Sequence, residues 1–337
     1  MKVLIGAARR GRLERYQKEI AAALAGTQLQ DAAFAYEFND SDEDWGSDIE
    51  DCDVLLIPTS RGFRGEGITR AKKLRLVQKL GASGRINIAA CKARNIAVSV
   101  VPHAGHVAVA EHTIMLMLAS ARHLQGTHPA VVRGDNPHAL EHITTSRSRR
   151  HSNWLDLPRD SFRSLSGQTL GLVGFGDIAQ HVARRGRAFD MRVFYTKRTR
   201  LDAESEAAFG VTYADLPALL HSADYVSLHA TQPENAPPLI GRDELALMKP
   251  DAILVNTARG NQVDQHAPVE ALRRGRLGGA CLDVFATEPV LAGEFEGVPN
   301  LVLTPHTAGV VPWNALYGDA LRNIERFLNS GTAAGLL

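Results

Sequence analysis

The chain has 337 residues, 45% of them hydrophobic and 6% aromatic, with a formal net charge of +1. That length suits two domains of ordinary size, and near neutrality gives no global pull towards nucleic acid or an acidic membrane. The three cysteines, Cys52, Cys91 and Cys281, are scattered; they offer neither a disulfide framework nor metal spacing, and they fit a reducing cytoplasm.

The N-terminal run MKVLIGAARR is too short in apolar residues for a signal peptide and places arginines where a cleavage region belongs. Strands are predicted over residues 3–7, 53–58, 74–80 and 96–101. Leu13, Tyr16, Ile20 and Leu24 mark one face of a helix between the first two. Strands alternating with helices imply a mainly parallel sheet, and this α/β unit ends near Pro102. An acidic patch (Asp40, Asp42, Glu43, Asp44, Asp48, Glu50, Asp51 and Asp53) lacks the alternation of an EF-hand and reads as solvated surface.

An apolar helix is expected over 107–121. Glu111, His112 and Thr113 interrupt it, and it is too short to span a bilayer. The stretch 123–166, with Arg147, Arg149, Arg150 and Trp154, reads as a long connection lying over the surface or over a partner subunit. The histidines between 103 and 151 fall on different predicted elements without ligand spacing, so no metal site is expected.

Residues 170–200, LGLVGFGDIAQHVARRGRAFDMRVFYTKRTR, read as strand, glycine turn, helix, strand. Gly174-Phe175-Gly176 forms the turn, and Asp177 and Ile178 open the helix. Gly174 permits a turn that a side chain would forbid. Gly176 lets a diphosphate approach the backbone, and Ala179 keeps the helix close to the strand. The helix N-terminus presents free N–H groups to the diphosphate. An NAD site usually has an acid at the end of the second strand; here Thr196 is followed by Lys197, Arg198 and Arg200, which attract a 2′-phosphate. NADP(H) is therefore favoured and NAD(H) remains possible.

Further strands are predicted over 224–229, 252–258, 279–285 and 301–304, with Pro268 in the first turn of a helix between the second and third. Arg259, Glu288 and His306 each follow one of these strands. Ligands bind beyond the carboxyl ends of strands in such sheets, so the three can converge with the glycine turn on one crevice. Histidine suits the proton transfer that accompanies hydride transfer, a carboxylate orients it, and arginine binds a substrate carboxylate bidentately. Taken singly, each of the three is as readily a surface or turn residue; taken together they describe a site. The closing helix, with Trp313, Leu316, Ala320, Ile324 and Phe327, is expected to pack on the first unit.

The motifs NTARG (256–260), LDVFATEP (282–289) and LTPHTAG (303–309), with the upstream GFGDIA and VAEHTIMLMLASAR (109–122), resemble the D-isomer-specific 2-hydroxyacid dehydrogenase family across nearly the whole chain. The resemblance implies an α/β fold with a Rossmann-type nucleotide-binding domain, residues 103–304. A smaller flavodoxin-like α/β substrate domain is implied from residues 1–102 and 305–337. It implies an NAD(P)-dependent oxidoreductase acting on a small 2-hydroxy or 2-oxo acid, such as glyoxylate or hydroxypyruvate, and a homodimer. By this resemblance Arg259 binds the substrate, Glu288 supports the histidine and His306 is the acid/base. Asp283 faces the nicotinamide amide, His229, Thr257 and Ala258 line the cofactor, and Gly81, Ala82 and Ser83 offer N–H groups to the substrate carboxylate. Side chains near Arg64, Ser83 and Trp313 set the substrate's R group.

Several positions depart from the family pattern. Thr196 replaces the acid, Gly84-Arg85-Ile86-Asn87 replaces an aspartate-containing segment, Gly105-His106 replaces an asparagine pair, and Ala230-Thr231 follows His229 in place of a frequent proline. No regulatory domain is expected after the last helix, unlike in the long phosphoglycerate dehydrogenases. Two other readings stay open: a nucleotide-sensing binding protein on the same scaffold, and a dehydrogenase of another small anion such as phosphite or formate.

Overall fold

The computed structural model describes the chain except residues 7–12, 25–28, 38–42, 58–60, 82–84, 102–104, 147–149 and 234. It divides into two compact units, Met1–Gly105 with Val311–Leu337, and His106–Val310. The cuts fall a few residues beyond the expected 102/103 and 304/305. The later one moves because the turn after residue 304 is hydrogen-bonded to Asp283 of the second unit.

The first unit contains β1 (Lys2–Gly6), α1 (Leu13–Leu24), β2 (Ala33–Glu37), β3 (Val54–Ile57), α2 (Glu66–Arg70), β4 (Leu76–Leu80), α3 (Ile88–Ala93) and β5 (Ala97–Val101). Its sheet is parallel in the order β2-β1-β3-β4-β5, the flavodoxin-like order. Successive side chains of a strand point to opposite faces. Val3, Ile5, Val54 and Leu56 therefore join one core, while Leu4, Leu55 and Ile57 join the other. β1 and β3 are buried on both faces, which is why VLI and VLLI read as unbroken apolar runs. The edge strand β2 escapes sequence reasoning because AFAYE is only half-buried.

The C-terminal helix, Trp313–Ser330, returns to this unit. Ala320, Leu321, Ile324 and Phe327 complete the core over β1, β3 and β4. The tail beyond it runs antiparallel along β5: Val100 N–H donates to Gly335 O (2.9 Å) and Leu337 N–H to Val98 O (3.0 Å). This covers an otherwise open sheet edge. Lys2 Nζ bridges Asp48 and Asp51 at 2.6 Å each, and Glu50 binds Arg70 and Lys72. Much of the acidic patch is thus paired; Asp40 and Asp42 lie outside the described residues.

In the second unit α4 (Gly105–Ala121) is followed by α5 (Leu124–Arg133), a helix where a polar connection is expected. Gly134, at φ 74°, closes it with the left-handed turn that glycine adopts without strain. The sheet elements are β6 (Thr169–Val173), α6 (Asp177–Ala188), β7 (Arg192–Thr196), α7 (Ala203–Phe209), β8 (Thr212–Tyr213), α8 (Leu216–Ser222), β9 (Tyr225–Leu228), α9 (Arg242–Leu247), β10 (Ile253–Asn256), α10 (His266–Arg273), β11 (Gly279–Leu282) and β12 (Leu301–Leu303); the closing helix of the other unit is α11. The order β12-β11-β10-β9-β6-β7-β8 is parallel throughout and is the Rossmann order extended by one strand. It reverses between β6 and β9, and ligands bind at such a switch point. Among the described residues no helix is long and apolar enough to cross a membrane.

Candidate active site

The glycine turn leaves β6 at the switch point. Gly174 has φ 94°, and a Cβ there would press on the Ala230 backbone just beyond β9. Gly176 caps α6, and a Cβ on it would meet no atom within 4 Å. No side chain caps α6, so its first N–H groups face open space, as a diphosphate requires. Ala179 is fully buried, and Gly186 about two turns later abuts Leu170, so small residues hold the helix on the strand at two points. Phe175 turns its ring into the core, 4.7 Å from Tyr195 and 5.5 Å from Phe209, which leaves its backbone for a ligand. Ile178 packs on the same core, while Asp177 is exposed, 3.7 Å from His106. These features fit a bound dinucleotide.

At the end of β7, Thr196 is half-buried and its carbonyl accepts the Gly174 N–H (2.9 Å). Among the described residues Lys197 and Arg198 make no ion pair. Arg200 differs from the expectation of a third available cation. Both Glu206 oxygens hold it, at 2.8 and 2.9 Å, and Glu206 also accepts from the Tyr195 hydroxyl. This pairing ties the strand-end loop to α7.

His229 follows β9. Its Nε2 lies 2.9 Å from the buried Ser227 hydroxyl, and burial pushes its pKa down to about 3. Gln262 Nε2 donates to Ala230 O (2.6 Å), tying this loop to the one after β10. Thr257 is buried against Thr113 of α4, hydroxyl to hydroxyl at 3.0 Å. Asn256, which ends β10, shapes the next turn from inside: its Oδ1 accepts the Ala258 N–H (3.0 Å) and its Nδ2 donates to Arg259 O (2.9 Å). Arg259 is exposed, with its guanidinium on the Ala258 carbonyl (2.6 Å). A Cβ on Gly260 would overlap the Phe285 carbonyl, so the Arg259 loop lies directly on the loop after β11.

That loop brings Glu288 to His306. Glu288 Oε2 is 2.6 Å from His306 Nδ1, and Oε1 accepts the Phe285 N–H (3.0 Å). Burial acts to raise the Glu288 carboxyl, but the hydrogen bonds from His306 and Phe285 and the charges of His306 and Arg259 outweigh it and hold the carboxyl below its ordinary value. With Nδ1 engaged, Nε2 is the His306 nitrogen left for a reacting group. β10, β11 and β12 are neighbours in the sheet, which is why Arg259, Glu288 and His306 gather at one edge.

Asp283 is fully buried beneath this turn, with both oxygens committed to Thr304, Thr307 and Ala308. In the first unit Gly81 has φ 78° and donates to Val101 O (3.2 Å); Ala82 and Ser83 lie outside the described residues. Arg64 is exposed and donates to Arg85 O (3.3 Å). Among the described residues no three His, Cys, Asp or Glu side chains gather as metal ligands would. Sequence reasoning missed Asn256, Thr304 and His112. Asn256 alone carried a local signal, as the polar residue that ends a buried strand.

Residues 114–308 match the family model described as D-isomer specific 2-hydroxyacid dehydrogenase, NAD binding domain. A glyoxylate reductase of Pyrococcus furiosus is 35% identical over 264 residues, covering 77% of this chain and 73% of the relative. The crystal structure of a glyoxylate reductase from Paecilomyes thermophila superposes with a TM-score of 0.69 at 25% identity, covering 100% of this chain and 98% of the other. D-mandelate dehydrogenase of Rhodotorula graminis, at 24% identity and a TM-score of 0.73, shares the fold over 100% of this chain and 97% of its own. With that family model spanning more than half of its length, the chain belongs to the D-isomer specific 2-hydroxyacid dehydrogenase family.

Proposed function

We propose that the protein interconverts a small D-2-hydroxy acid and its 2-oxo acid, favouring NADP(H), with glyoxylate and hydroxypyruvate the substrates to try first. The observation that carries this reading is the His306–Glu288 pair at 2.6 Å, beside the Arg259 loop at the sheet edge that also bears the glycine turn. Nicotinamide, when bound, carries the hydride. Gly174, Gly176 and the first turn of α6 hold the diphosphate, Lys197 and Arg198 take the 2′-phosphate, and Thr196 leaves room for it. His229, Thr257 and Ala258 line the nicotinamide half of the cleft, whereas Asp283, buried with both carboxylate oxygens committed to the turn after residue 304, holds that turn rather than the nicotinamide amide.

In the reducing direction Arg259 binds the carboxylate of the 2-oxo acid and polarises its carbonyl. His306 Nε2–H donates the proton to the carbonyl oxygen as the carbon takes the hydride. The Glu288 carboxylate, engaged with Nδ1, fixes the ring. In oxidation the same Nε2 takes the hydroxyl proton.

We also propose a homodimer working in a reducing cytoplasm. Exposed Met115, Leu124, Val131, Val132 and Phe189 support the first, and three free buried cysteines the second. The test of function is the oxidation of NADPH and of NADH against a panel of 2-oxo acids. Turnover of glyoxylate or hydroxypyruvate, faster with NADPH, supports the reading; nucleotide binding without turnover on any member favours a sensing role instead.

A further inference from the structure

His306 adopts φ 53°, a left-handed conformation that costs a non-glycine residue free energy and persists where neighbours over-determine it. Asp283 supplies the determination. Its carbonyl accepts the His306 N–H (2.8 Å), its Oδ1 accepts the Thr304 hydroxyl (2.6 Å) and the Thr307 N–H (2.9 Å), and its Oδ2 accepts the Ala308 N–H (2.9 Å). The Thr304 proton is thereby spent, and the oxygen keeps its lone pairs. His112 Nε2, on α4, lies 2.9 Å from that oxygen and 3.6 Å from Asp283 Oδ1. Two acceptors facing one ring nitrogen require that nitrogen to carry the proton. Next to His112, Thr113 bonds Val109 O (2.8 Å) on α4 and the Thr257 hydroxyl (3.0 Å) in the loop that precedes Arg259. One turn of α4 thus holds both the arginine loop and the histidine loop.

We propose that His112 is a positioning residue for the acid/base loop. As the Nε2–H tautomer it donates to Thr304, commits the threonine proton to Asp283, and so keeps the 304–308 turn in the shape that presents His306 to Glu288. The kinetic consequence rests on the reading of His306 as acid/base; the structural one does not. Without the donor, the Thr304 hydroxyl is free to rotate, Asp283 loses a partner, and the turn opens more often.

The experiment compares His112→Leu, which removes the donor, with His112→Gln, whose Nε2–H reaches about as far as the histidine's. Amide hydrogen exchange is followed by mass spectrometry in peptides covering 304–310 and, as a control, 169–173. The leucine variant is expected to speed exchange at Thr307 and Ala308 by about tenfold and to leave the control peptide unchanged. It lowers kcat by about tenfold with the dinucleotide KM within about twofold, and the glutamine variant recovers most of both losses. Thr304→Val removes the same link from the loop side, should His112→Leu fail to fold, and is expected to speed the same amides. Unchanged exchange in the leucine or valine variant, or equal damage from leucine and glutamine, overturns the proposal. A wild-type protein that turns over no 2-oxo acid counts against the functional reading, while the exchange measurement still decides the role of His112.

Discussion

The Nδ1 atom of His306 sits 2.6 Å from Glu288 Oε2, and the other oxygen of that carboxylate is held by the Phe285 amide. The pair is a fixed orientation rather than a chance contact, because Glu288 is itself tethered. Its carboxyl is held below the ordinary value, so it is ionised at neutral pH. Glu288→Gln replaces the charged acceptor that orients the His306 ring with a neutral amide. Reduction is expected to slow by about tenfold or more with the dinucleotide KM within about twofold. Steady-state kinetics of the variant check both. An unchanged kcat would separate Glu288 from the reaction.

The strand-end cations divide into two kinds. Lys197 and Arg198 are uncommitted among the described residues, whereas Arg200 is spent on Glu206. Lys197→Ala with Arg198→Ala is expected to weaken NADPH by about tenfold or more and NADH by less than about threefold. Arg200→Ala should leave that ratio alone and lower the melting temperature. Fluorescence titration of both nucleotides and a thermal melt distinguish the cases; equal losses for the two nucleotides in the double variant would contradict the 2′-phosphate assignment.

His229 is held neutral by burial, with its pKa pushed down to about 3. An unfolded histidine takes a proton near pH 6.5. Between these values the unfolded state binds the extra proton, so stability rises with pH and is lost as pH falls below about 6.5. The slope is about 1.4 kcal/mol per pH unit at most. His229→Gln, which keeps a donor for Ser227, should flatten the decline in melting temperature between about pH 6 and 4.5. A ring that titrates near pH 6.5 by NMR would refute the neutral assignment.

Asn323 is buried on α11 and closes the first unit's sheet. Its Nδ2 donates to Gln78 Oε1 (2.7 Å), Ser99 Oγ (2.8 Å) and Ala334 O (3.2 Å), and its Oδ1 accepts the Ala334 N–H (2.7 Å). Asn323→Leu leaves several buried polar groups without partners and is expected to cost about 2–4 kcal/mol in urea unfolding. It should also raise protease sensitivity at the tail beyond residue 330. A loss below about 0.5 kcal/mol would show that water replaces the side chain at no cost.

Much of this architecture is legible locally. Strands buried on both faces, such as β3, β6 and β10, read as apolar runs bounded by turn residues, and the glycine turn declares its own geometry. Edge strands do not: β2 is half-buried and β8 spans two residues, so neither carries a periodic signal. The polar contacts are hidden for another reason. Asn323 looks like a surface position of an amphipathic helix until the tail folds back over it. His112 looks like a polar interruption of an apolar helix until Thr304, 192 residues later, is placed beside it. Arg200 looks as available as Lys197 until Glu206 turns towards it. Pattern tells which face is buried, and only the packed chain tells which buried polar groups satisfy one another.

In the proposed reaction His306 moves the proton during hydride transfer. The most direct test is a single-turnover reaction of His306→Gln with NADPH and glyoxylate, alongside NADPH binding by the same variant. Chemistry is expected to slow by at least about a thousandfold while NADPH affinity stays within about threefold of the wild type. A variant that reduces glyoxylate at near wild-type rate would contradict it and remove His306 from the reaction.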